Sequence, residues 1–250
     1  MSSLLRQSLM TVLLLTIGIT LCVLMLRLIG LKLQETLNYH FGNNTFSRWL
    51  LMPGTVIHEL SHYLLVKLFG LHATEVKLFI PDVNSETLGF VDYSYNLHSV
   101  LNKFGLTFVG VAPLFGISGV LFFVYDKMFS TNLHHIFSMT EQAINNSDLS
   151  QLFNTFKYIF NPFNYSFGKL VLFMIICVFL LSGFSLSMAD LQTSLKGLPY
   201  FILFMFCLVV IAQLVPTFNV LCIRFVLVSM FVIILLSIMS LLVLLILNIF

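Results

Sequence analysis

Apolar residues fall along this chain in six long runs, at 9–29, 50–69, 104–125, 170–186, 198–215 and 219–247. A helix of about 20 apolar residues matches the hydrocarbon thickness of a bilayer. The pattern therefore predicts an α-helical polytopic membrane protein with about six transmembrane helices. Proline and glycine mark several ends: Pro53 near the start of the second run, Gly70 as a C-cap after it, Pro216 after the fifth. The third run carries Gly105, Gly110, Gly116 and Gly119, which allow helices to approach closely or bring backbone near a buried site, and Pro113, which predicts a kink.

Between the second and third runs the period changes. Val76–Ile80 and Gly89–Tyr93 are β-prone and are separated by Pro81-Asp82-Val83-Asn84-Ser85. This predicts a small β-hairpin-like loop over 74–95. Residues 32–48 are polar and mixed, ending in Arg48 and Trp49, an interfacial pair. Residues 126–169 are rich in Asn, Ser and Phe and suit either an amphipathic surface helix or a loop, with a turn at Asn161-Pro162-Phe163-Asn164.

Composition agrees with the pattern. Only 9% of residues are charged and mean hydropathy is +1.02, against about a quarter charged in soluble domains. A net charge of +2, scattered along the chain, gives no footing for nucleic acid. Cys22, Cys177, Cys207 and Cys222 lie in or beside apolar runs without a C-x-x-C pair, and read as small buried hydrophobes. The first run lacks a small-x-small cleavage site and is taken as a retained helix. The expectation is one membrane domain over 1–250, a multi-pass integral protein of the cell membrane whose environment is the lipid bilayer.

One stretch of the second run carries chemistry. His58-Glu59-Leu60-Ser61-His62 reads H-E-x-x-H. On a helix, residues four apart share a face, so both imidazoles can reach one Zn2+, and Glu59 is placed to take a proton from an activated water. The alternative is three polar groups packed by chance in a bundle, but ionisable groups at membrane depth are costly and mark function.

Catalytic zinc needs a third protein ligand. The position six residues after His62 is Leu68, which excludes one known arrangement. Glu86 has a spacing seen in another, but sits in the predicted turn; His72 and His98 lie in polar segments. Asp190 is the one acidic residue after position 150 and lies at the end of a span. It also fits a capping box, Ser187-Met188-Ala189-Asp190, at the start of the next helix. Ligand and cap remain alternatives.

The order of H-E-x-x-H helix, β-rich loop, Gly/Pro-bearing run and later acidic residue resembles the site-2 protease group of intramembrane metalloproteases. His58–His62 matches the family motif, Gly89-Phe90-Val91 is similar to part of its β loop, and Val111-Ala112-Pro113-Leu114 resembles its Gly-Pro element. The resemblance covers roughly 50–200, leaving 1–49 and 201–250 as additional spans. It implies a zinc endopeptidase with His58, His62 and Asp190 as metal ligands, Glu59 as general base and a membrane-spanning protein as substrate. It also implies a cytosolic N-terminus and β loop, although the Lys and Arg positions lean slightly the other way. Two positions depart from the family: Leu191 follows Asp190 where glycine is usual, and Gly116 stands where asparagine is frequent. These departures keep open a non-enzymatic, metal-binding membrane protein. A transporter with a His/Glu ion relay is a third class, but it should show internal repeats and none is evident.

Overall fold

The computed structural model describes residues 2–42, 44–129, 138–140, 142–143, 146, 149–159, 166–214, 241 and 245. It is mostly helical, with one small sheet. The elements are α1 Ser2–Phe41, α2 Thr45–Leu68, β1 His72–Lys77, β2 Phe90–Ser94, α3 Val100–Gly110, α4 Ala112–Phe129, α5 Leu149–Ile159, α6 Phe167–Leu181, a 3₁₀ turn Ser182–Phe184, and α7 Met188–Leu214. Among the described residues three helices are long and apolar enough to cross a membrane: Ala112–Phe129, Phe167–Phe184 and Met188–Ile211. The turn at 161–164, and the expected run at 219–247 apart from residues 241 and 245, lie outside the described residues.

Several boundaries move, each for a local reason. The second run is helical from Thr45, because Asn44 and Ser47 form a capping box in which each side chain accepts the other's backbone N–H. Pro53 is therefore inside α2, and this helix, with its buried polar face, is not among the three apolar ones. It ends in a Schellman turn: the Gly70 N–H donates to Lys67 O at 3.1 Å and the Leu71 N–H to Val66 O at 2.9 Å. The predicted kink at Pro113 is instead a break, with α3 ending at Gly110 and α4 restarting at Ala112. Proline cannot continue α3 but is tolerated in the first turn of α4. The fifth run begins ten residues earlier than its apolar boundary, at Met188, and continues through Pro199. The polar segment after the first run stays helical to Phe41. Part of the undecided 126–169 segment is helix α5.

The loop is an antiparallel pair, with Val76 opposite Val91, Lys77 opposite Phe90 and an irregularity between Ala73 and Glu75. β1 lies earlier than the β-prone run. Arg48, buried near the start of α2, explains this. Its guanidinium donates to the carbonyls of Ile80, Val83, Ser85 and Thr87, tying the connection onto the helix, while past Lys77 the two sides keep a backbone bond from Ile80 N–H to Leu88 O at 2.7 Å.

The main core joins Val23, Leu26, Ile29, Leu33 and Leu37 of α1 to Ile117, Leu121 and Tyr125 of α4 and Phe173, Cys177 and Leu181 of α6. The α1 positions recur every three or four residues, a single helical stripe. Val66, Leu71, Leu106 and Val109 form a smaller core where the sheet meets α2 and α3. Cys177 is buried as expected, but Cys207 is exposed, on the outward side of α7.

Candidate metal centre

His58, Glu59 and His62 lie on the buried face of α2. The two imidazole rings are 4.8 Å apart between centroids, and their Nε2 atoms approach to 3.1 Å. Asp190, in the first turn of α7, brings one carboxylate oxygen to 3.2 Å from His62 Nε2 and the other to 3.6 Å from His58 Nε2. Among the described residues these three form the group able to hold a metal ion. Leu68, Glu86, His72 and His98 are all exposed and take no part.

Each ring is held from behind. His58 Nδ1 donates to Gly183 O and His62 Nδ1 to Val109 O, both at 2.7 Å. A carbonyl can only accept, so Nδ1 carries a proton, and in the neutral ring the Nε2 lone pair faces the centre. Two such lone pairs and a carboxylate converge on one point, an arrangement that could hold a metal ion. The spacing fits one. A tetrahedral ion with bonds of about 2.0–2.2 Å has donor–donor edges of about 3.3–3.6 Å, the scale of the observed separations.

Both orienting carbonyls are free for reasons written in the backbone. In a continuous helix Val109 O would accept from the N–H four residues on, but that residue is Pro113, which has none. The carbonyl is left to His62 and to the Val111 N–H. Gly183 O would pair with Ser187 N–H, but that group donates to the Asp190 carboxylate at 2.7 Å. Asp190 N–H in turn donates to Ser187 Oγ at 3.1 Å. The capping box therefore exists, and it is also what presents the carboxylate to the histidines. Cap and ligand position are one geometry.

Glu59 is buried beside the histidines, and among the described residues no hydrogen bond holds its carboxylate. The loop backbone lies against it: a Cβ on Gly89 would come within 2.9 Å of Glu59 Cγ. From β2, the half-buried Tyr93 hydroxyl bonds Thr193 Oγ1 at 3.1 Å, one turn beyond Asp190. Burial pushes the Tyr93 phenol above its ordinary pKa, with the Thr193 bond acting the other way.

The sequence pattern missed the two carbonyls, and it took Arg48 for an interfacial anchor, whereas the side chain is buried and bound to loop carbonyls. Pro113, four residues past Val109, was the available signal for one carbonyl; the arginine clamp had none, because its acceptors are backbone atoms. Comparison with protein-family models, curated proteins and solved structures gives no match.

Proposed function

We propose that this chain is a zinc-dependent endopeptidase of a multi-pass membrane protein, cutting polypeptides that span the bilayer. The observation that carries this reading is the convergence of His58, His62 and Asp190, each held by a second hydrogen bond, beside the unengaged carboxylate of Glu59. The resemblance of the same residues to the site-2 protease group supports it. Two imidazoles and a carboxylate suit zinc, which leaves a fourth position for water.

Bound Zn2+ would supply Lewis acidity and lower the pKa of a coordinated water to about 7. Glu59 takes the proton of the attacking water on its carboxylate and delivers it to the departing amine nitrogen. His58 and His62 cannot serve as the base while their Nε2 atoms are engaged as ligands. The mechanism requires water at Glu59, and charged groups at membrane depth call for a polar path to supply it. A helical substrate hides its carbonyls and must unwind before attack. Among the described residues each strand of the two-stranded sheet has one edge with no paired strand, which could take an extended segment as an added strand.

The second reading, a metal-binding membrane protein that does not cut, is favoured by one contact. Any side chain at Gly116 would collide with the Ser61 hydroxyl, so no amide side chain reaches a substrate from that position. The deciding experiment is elemental analysis of the purified protein with a cleavage assay on a single-span test polypeptide in liposomes. One zinc per chain and cleavage are expected in wild type. Glu59→Gln should keep the zinc and lose about 10²–10⁴-fold in rate. Wild type without stoichiometric zinc sinks the first reading, and without any stoichiometric metal sinks both; metal without cleavage leaves the second.

A further inference from the structure

Residues 182–190 supply two parts of the centre, the Gly183 carbonyl and the Asp190 carboxylate, yet residues 185–187 have no regular structure. Something else must hold them. We propose that Arg27 of α1 is a positioning residue for the metal centre, acting through this segment; the inference rests on the zinc site proposed above.

Arg27 Nε donates to Leu186 O at 2.9 Å, and its Nη2 lies 3.3 Å from Met188 Sδ. The Leu186 carbonyl precedes the ladder of α7, whose Leu191 N–H bonds Ser187 O at 3.3 Å. The guanidinium therefore serves a carbonyl that the helix does not. One turn along α1, Gly30 lets the two backbones touch: a Cβ there would meet Ser185 N at 2.7 Å and Phe184 C at 2.8 Å. Leu26, Ile29 and Leu33 of α1 and Phe184 and Leu186 of the segment share one buried cluster. On its other side the segment rests on α2, where Gly183 sits against the Gly54 carbonyl. It is thus clamped between two helices, and Arg27 is the charged contact of that clamp.

Arg27 lies near the far end of its apolar run, where an arginine can reach the interface. Extending the side chain to headgroups would satisfy the charge alone. Directing Nε to a backbone carbonyl also fixes that carbonyl, four residues before Asp190 and three after Gly183. Lysine has no fork and cannot meet Leu186 O and Met188 Sδ in the same geometry. On this view α1 completes the centre, although it lies outside the stretch that resembles the protease family.

The test measures zinc affinity by chelator competition and the visible bands of the Co2+-substituted protein, neither of which needs turnover. Arg27→Met should bind Zn2+ about tenfold more weakly, the lower end for an outer-shell partner, with altered Co2+ bands. Arg27→Lys should recover only part of the affinity. Lys32→Met, which removes an exposed lysine paired with Glu35, should match wild type. Should Arg27→Met not fold, Arg27→Gln, which keeps a donor, carries the same expectation in weaker form. Wild-type affinity and spectrum in Arg27→Met, or full recovery by Arg27→Lys, would overturn the inference and leave the zinc site standing. A wild type that binds no metal would overturn the zinc site itself.

Discussion

His58 and His62 stand on an unbroken helix with an Asn44–Ser47 capping box at one end and a Schellman turn at the other. Asp190 and the carbonyl behind His58 come from a stretch with a 3₁₀ turn, an irregular linker and the first turn of a new helix. On the first side, a four-residue spacing and the helix pitch suffice to aim two ligands at one point. On the second, the aim depends on contacts far apart in sequence: Arg27 on Leu186, Gly30 on Ser185, Gly54 on Gly183. The centre joins a locally determined half to a half determined by packing, so its precision rests on the second.

Removing a ligand from either side should have the largest effect but leave different proteins behind. His62→Ala and Asp190→Asn should each weaken Zn2+ binding by more than about 100-fold, beyond the range of an outer-shell partner. Asp190→Asn keeps an oxygen for the Ser187 N–H, so the start of α7 should survive. Asp190→Ala removes both functions, and with chelator present it should unfold at a lower temperature than Asp190→Asn. Equal unfolding temperatures for the two would break the claim that cap and ligand are one geometry.

This division also explains what the sequence made legible. The H-E-x-x-H face, the Gly70 cap and the paired strands follow from local periodicity and turn chemistry, and all three are present. Asp190 was reachable only as a choice between cap and ligand, because one residue satisfies both patterns and distance is invisible in a string. The strand boundary differs from the β-prone run because Arg48 ties the 80–87 connection onto α2 through backbone carbonyls, which leave no side-chain signature. The span at 104–125 was misjudged because a proline that breaks a helix and one that kinks it look alike until the neighbouring helices are placed.

A milder probe of the packed half is Ser187→Ala. It removes the hydroxyl that accepts the Asp190 N–H while leaving the Ser187 N–H that holds the carboxylate. Loss of such a cap costs about 1 kcal/mol, which corresponds to about fivefold if it is spent entirely on holding Asp190 in place. Zinc competition titration should show a weakening of up to about that size, and Ser187→Thr should restore it. An affinity unchanged in Ser187→Ala would mean that α1 and the backbone N–H fix the carboxylate without the cap.

The smallest expected effect tests how far His62, on the regular half, depends on a distant residue. His62 is aimed by Val109 O, and that carbonyl lacks a helical partner because Pro113 has no N–H. Pro113→Ala supplies the missing donor, allowing α3 and α4 to join and Val109 O to turn into the ladder. A carbonyl has two lone pairs, and this one already serves the Val111 N–H as well as His62, so competition should weaken the imidazole bond rather than abolish it. Zn2+ affinity should fall about threefold, below the 10–100-fold of losing an outer-shell partner outright. The change should come through His62: in a His62→Ala background Pro113→Ala should alter residual metal binding no further. Additive losses in the double variant would instead place the effect of Pro113 on the packing of α3 against α7.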